Sequence, residues 1–130
     1  LRFVGYKDRN MLEIVDYRAK WNEDSFEYQH TIPSYDFDPS DDKLLRELRD
    51  IAEACWYEFG LKGYARVDLR VDERGKPWVL EVNANPCLSP NSGFVLSAAQ
   101  AGIAFQSLVE CIVAEATGQE PVVARGVKAI

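Results

Sequence analysis

The chain has a single histidine, three cysteines without C-x-x-C spacing, and no long apolar run. Each shortage closes off a class of function. A helix crossing a bilayer needs about 20 consecutive, mostly apolar residues, so no membrane partner is expected. His30 has no second catalytic group in view and reads as structural. Cys55 and Cys111 fall on the apolar sides of helical patterns and read as reduced core residues; only Cys87 lies in a loop. The net charge of −6 argues against a nucleic-acid partner, because phosphate-backbone affinity rests on clustered Lys and Arg. A nucleotide held through a metal is still compatible with that charge. There is no internal repeat and no low-complexity segment. Leu1-Arg2-Phe3 has neither an initiator Met nor a signal-peptide layout, so a cytoplasmic portion of a longer protein is expected. At 130 residues the chain is long enough for one domain with a real core.

What is present is organised around GYARVDLRVDERGKPWVLEVNANPCLSPNS, residues 63–92. Ala65, Val67, Leu69 and Val71 alternate with Arg66, Asp68 and Arg70, the period of a strand. A second alternation sets Trp78, Leu80 and Val82 on one face and Val79, Glu81 and Asn83 on the other. The polar run from Asp72 to Pro77 supplies a turn, with Gly75 available for positive φ. Pairing Asp72 with Pro77 across a four-residue loop places Asp68 opposite Glu81 and Arg66 opposite Asn83. Like charges directly opposed on a sheet are destabilising, so two facing carboxylates need a reason. A divalent cation supplies one. Asp, Glu and the Asn amide are hard oxygen donors suited to magnesium, calcium or manganese. Arg66 beside them suits an anion or a developing oxyanion. The residues fit equally well a hairpin with a solvated polar face, on which Arg66 and Arg70 pair with the acids.

Elsewhere the patterns are plainer. Asn10 to Tyr17 and Phe26 to Ile32 read as strands, the latter with Phe26, Tyr28, His30 and Ile32 on one face. Pro33 to Pro39 reads as a loop. Ser40-Asp41-Asp42 opens a helix whose stripe is Leu44, Leu48, Ile51, Cys55 and Phe59, stopped by Gly60. Phe94 to Ala101 and Phe105 to Ala116 read as helices separated near Gly102. From Thr117 onward there is no firm period, as in a frayed terminus.

R-x-D followed by E-x-N-x-N-P after a short hairpin resembles the metal-binding end of ATP-grasp ligases. The similarity is closest to D-alanine–D-alanine ligases, and extends from DYRAKW around Lys20 through Asn85-Pro86 and Ser92 to the helical tail. The resemblance implies an α+β ATP-grasp C-terminal domain, an antiparallel sheet packed against helices, with residues 1–130 one part of a longer ligase. It implies that ATP and small amino acids are the partners, and that the cofactor is Mg2+ or Mn2+ held by Asp68, Glu81 and Asn83. Arg66 would face the reacting carbonyl or acyl phosphate, Lys20 would reach the nucleotide phosphates, and Leu80 and Ile14 match positions that pack on adenine. On the residues alone, Leu80 and Ile14 serve equally as core. Ser92 matches the serine that touches the substrate carboxylate. The implied product is a peptidoglycan precursor, and a homodimer of the full-length protein stays open. Two positions depart from the family pattern: Cys87 stands for a glycine, and Gly93 for a bulky apolar residue beside the second amino-acid pocket. They leave room for a related ligase with other amino acids, or for a metal- and nucleotide-binding module without ligase activity.

Overall fold

The structure, a computed structural model, describes residues 1–119; the unpatterned tail beyond them lies outside the described residues. It divides into two compact units, Leu1–Asp36 and a second beginning at Phe37.

In the first unit the chemistry of Tyr6 sets the packing. Its side chain is almost wholly buried, edge-on to Phe3 with ring centroids 5.1 Å apart and tilted against Phe26 at 5.7 Å. Burial obliges its hydroxyl to find partners. It donates to the Glu27 carbonyl at 3.2 Å and lies 2.8 Å from the Thr31 hydroxyl. Strand β1, Arg2–Phe3, pairs antiparallel with β2, Thr31–Ile32.

The two longer strands expected in this unit are not there. Residues 11–16 are irregular, Asn10 has a left-handed backbone at φ 53°, and helix α1 spans Tyr17–Trp21. Asp16 caps α1 by accepting from the Ala19 N–H at 2.9 Å. Phe26–His30 is helix α2, capped by the buried Ser25. The misreading has a physical cause. Phe26 and His30, taken as alternating strand positions, are also four apart and so share a helix face. Their rings stack there at 3.9 Å.

In the second unit, the Asp38 carboxylate accepts from the Ser40 N–H while Asp41 accepts from the Asp38 N–H, a reciprocal cap on a 3-10 turn at Pro39–Asp41. Helix α3 follows as Asp42–Glu58. The cap expected at Ser40 therefore sits two residues earlier. Strands β3, Arg66–Val71, and β4, Pro77–Asn83, form an antiparallel hairpin, and α4, Gly93–Gln100, and α5, Phe105–Thr117, close the unit. Val95, Ala98 and Leu108 form the buried cluster between α4 and α5, with Phe94, Ile103 and Ile112 packed on it. Fully burying a side chain the size of leucine contributes about 1.5–3 kcal/mol, so this cluster holds the helices that follow the loop.

The hairpin register is not the simple one. Val71, not Asp72, pairs with Pro77, and Leu69 pairs with Val79. One extra residue, Leu80, is then skipped before Asp68 meets Glu81 and Arg66 meets Asn83. This bulge restores the expected pairing at the polar end. It also reverses the faces near the turn: Trp78, opposite Arg70, joins the carboxylate face, and Val79 joins the apolar one.

Asp72 organises that turn. One carboxylate oxygen accepts from the Arg74 and Lys76 N–H groups at 2.9 Å each, the other from the Trp78 indole at 3.0 Å. Gly75, at φ 78°, returns an N–H to the Asp72 carbonyl. The indole and then the Lys76 amide hold the Asp72 carboxyl below its ordinary 3.8. A lowered folded-state value means that this contribution is present above the unfolded pKa and is lost as pH falls through the folded one. In Asp72→Ala, exchange of the Arg74 and Lys76 amides is expected to quicken several-fold, and the acid-dependent change in Trp78 emission to disappear. Unchanged exchange would mean that the backbone alone sets the turn.

Candidate functional site

The bulged hairpin gathers Arg66, Asp68, Arg70, Trp78, Glu81 and Asn83 on one face. Asp68 and Glu81 are direct cross-strand partners. Arg66 grips Asp68 with two parallel bonds, Nε to Oδ1 at 2.6 Å and Nη2 to Oδ2 at 2.9 Å. Both side chains are about one-third exposed, at 35%. The Asp68 hydrogen bond raises the Arg66 pKa above its ordinary value, and the charge of Glu81 adds to the effect, so the guanidinium stays charged at any working pH.

Asn83 is aimed by its neighbours. Its amide oxygen accepts from the Asn85 N–H at 2.9 Å, and the Asn85 side chain accepts from the Tyr64 hydroxyl at 2.8 Å. The Tyr64 ring in turn lies against Phe94 of α4, at 5.5 Å. One lone pair of the Asn83 oxygen is thereby used and one remains. Among the described residues no three His, Cys, Asp or Glu side chains gather in one place. The third oxygen donor on this face is thus an amide. Two facing carboxylates and one oriented amide fit a hard divalent cation, provided Asp68 gives up part of its hold on Arg66.

The loop after β4 is held from within. Pro86 is fully buried. The Ser92 hydroxyl donates to the Cys87 carbonyl at 2.6 Å and also caps α4, accepting from the Val95 N–H at 3.5 Å. Cys87 is exposed; contacts to the Ser89 hydroxyl and N–H draw its thiol below its ordinary value. No atom lies within 4 Å of where a Cβ on Gly93 would stand.

A model of the D-Ala–D-Ala ligase C-terminus matches residues 5–114. The D-alanine–D-alanine ligase of Dichelobacter nodosus is 33% identical over 103 residues, 79% of this chain and 31% of that protein. An uncharacterized protein of Sinorhizobium fredii, y4sG, is 47% identical over 70 residues, 54% of this chain and 21% of that one. In three dimensions the chain resembles the crystal structure of D-alanine–D-alanine ligase from Bacillus anthracis complexed with ATP. The TM-score is 0.62 at 31% identity, over 69% of this chain and 31% of that one. This chain belongs to the D-Ala–D-Ala ligase C-terminus family. It spans about a fifth to a third of the length of these relatives.

Within the D-Ala–D-Ala ligase C-terminus match, the residues expected to act divide between the two units. Arg66, Asp68, Glu81, Asn83, Leu80 and Ser92 belong to the second, and Lys20 and Ile14 to the first. Lys20 is exposed on α1. Ile14 and Leu80 are 50% and 66% exposed, so neither is a core residue. Leu80 is the bulged residue itself, which frees its side chain from the pairing pattern. Tyr64 and Asn85 are the contributors that sequence reasoning missed. Asn85 lay in the quoted E-x-N-x-N-P motif, and an Asn two residues beyond another Asn is a signal for a side chain bonded to nearby backbone. Nothing in the pattern pointed to Tyr64.

Proposed function

We propose that this chain is the C-terminal ATP-grasp domain of a longer cytoplasmic carboxylate–amine ligase that joins amino acids at the expense of ATP, as D-alanine–D-alanine ligases do for peptidoglycan precursors. The observation that carries the reading is the Asp68–Glu81 pairing with Arg66 and Asn83 on the same face. In the reaction, the carboxylate of the first amino acid attacks the γ-phosphate of ATP, releasing ADP. The amine of the second then displaces phosphate from the acyl phosphate, forming the amide. Catalysis of this kind is positioning plus stabilisation of charge.

Asp68, Glu81 and Asn83 would hold Mg2+ or Mn2+. Such an ion neutralises phosphate charge and polarises the transferring group. Arg66 offers a planar fork of donors to the negative charge that develops at the reacting carbonyl. Lys20 contributes a point charge to the phosphates, and the exposed Leu80 and Ile14 offer apolar surface to adenine. Ser92 presents a hydroxyl to the carboxylate of the second substrate, and the open space beside Gly93 favours a second amino acid larger than alanine.

The test is amino-acid-dependent ADP release by the full-length ligase across a panel of D- and L-amino acids. Turnover with a second substrate larger than alanine, at least as fast as with D-alanine, is expected. Strict D-alanine preference would remove the role given to Gly93. Nucleotide binding without turnover for any pair would identify a binding module. The 130-residue chain alone should fold, bind ATP weakly and release no ADP. Proximity of two substrates is worth about 7–11 kcal/mol, and this chain spans only about a fifth to a third of the length of its relatives. Tight ATP binding in a calorimeter, or any turnover, would contradict this.

A further inference from the structure

We infer that Arg66 is a resident counter-ion on Asp68 which an arriving cation must displace, so that metal binding and release of the guanidinium are one event. The inference rests on the metal reading above.

Three observations carry it. First, the fork engages both Asp68 oxygens, at 2.6 and 2.9 Å, and so lies where a cation using this carboxylate would sit. A dication and a guanidinium a few ångströms apart on one carboxylate repel, so full occupancy by both is unfavourable. Second, Asp68 faces Glu81 in the register. Without a cation these opposed acids need positive charge nearby to avoid a destabilising pair, and Arg66, bonded to both Asp68 oxygens, supplies it. Third, Arg66 and Asp68 are two residues apart on one strand, and each side chain is 35% exposed. The fork can therefore open by side-chain rotation while the ladder stays intact. The consequence is an order of assembly. Arg66 becomes available to an anionic substrate group only after the cation has taken its place.

The measurement is a Mn2+ titration of the full-length ligase without nucleotide, following the spin resonance of free Mn2+, for wild type, Arg66→Met, Arg66→Lys and Glu81→Gln. Freeing Asp68 should tighten Mn2+ binding by about tenfold in Arg66→Met, the scale of a good partly exposed ion pair. Arg66→Lys keeps the charge but cannot span both oxygens, so it should bind about threefold tighter than wild type. If Arg66→Lys equals wild type, only charge repulsion is at work and the displacement is overturned. Unchanged or weaker binding in Arg66→Met overturns it too, and loss of binding in Glu81→Gln would then leave the metal reading standing. Absence of Mn2+ binding in both wild type and Arg66→Met removes the metal reading and the displacement together.

A second measurement needs no variant. The Arg66 Nε–H resonance, protected in the metal-free chain, should lose protection as Mg2+ is added. A resonance that stays protected while the Glu81 signals shift would overturn the displacement.

Discussion

In the full-length ligase, Arg66→Lys should lower amino-acid-dependent ADP release by about 10²–10³, the usual cost of losing one preorganised donor to a developing anion. The Arg66 side chain presents two parallel donors in one plane, as its grip on Asp68 demonstrates. Lysine keeps the charge as a compact point and cannot reproduce the planar fork. A group that acts on the reacting centre should change turnover with little change in nucleotide affinity. The combination to look for is slower turnover together with the tighter Mn2+ binding expected for the same variant. A surface ion pair with no further role would leave turnover unchanged, and that result would return Arg66 to a structural part.

Glu81→Gln should weaken magnesium–nucleotide binding by at least about 10–100-fold, the range seen even when only the support of a metal ligand is lost. Glu73→Gln, a matched change in the exposed turn, should stay within about twofold, since it removes only a solvated charge. The comparison separates a ligand from general electrostatics, because both variants remove one negative charge from the same hairpin. Folding does not confound it. In the metal-free chain, Glu81→Gln removes both a like-charge opposition to Asp68 and an attraction to the Arg66 guanidinium, two opposed effects, so the melting temperature should change little. Equal magnesium dependence in the two variants, by calorimetric titration, would take the metal site away.

Much of this molecule is written in local chemistry. Helix α3 follows from apolar residues spaced three and four apart and ended by Gly60, and α4 and α5 from two apolar stretches separated by Gly102. The hairpin follows from strict alternation on both sides of a polar turn, and so does the shared face of Asp68, Glu81, Arg66 and Asn83. These features need only residue type and spacing. That is why family resemblance and physical patterning pointed to the same residues.

Other features depended on contacts that spacing does not specify. The pairing at the site matched expectation although the turn did not. A connection one residue longer, organised by Asp72 and Trp78, is offset by the bulge at Leu80. Turn and bulge are chosen together by side-chain bonds and sheet twist, so counting back from either alone misplaces Trp78 and Val79. The helix at Phe26–His30 was hidden because four-residue and two-residue spacings coincide at its ends, and the Ser25 cap and the His30–Phe26 stack decided between them. The aim of the Asn83 oxygen, set by Asn85 and Tyr64, needs the loop and β4 brought together. Composition and period determined which groups share a face; only the folded structure decided that Arg66 turns along β3 to hold both oxygens of Asp68, because that choice belongs to rotamers and facing charges, not to sequence spacing.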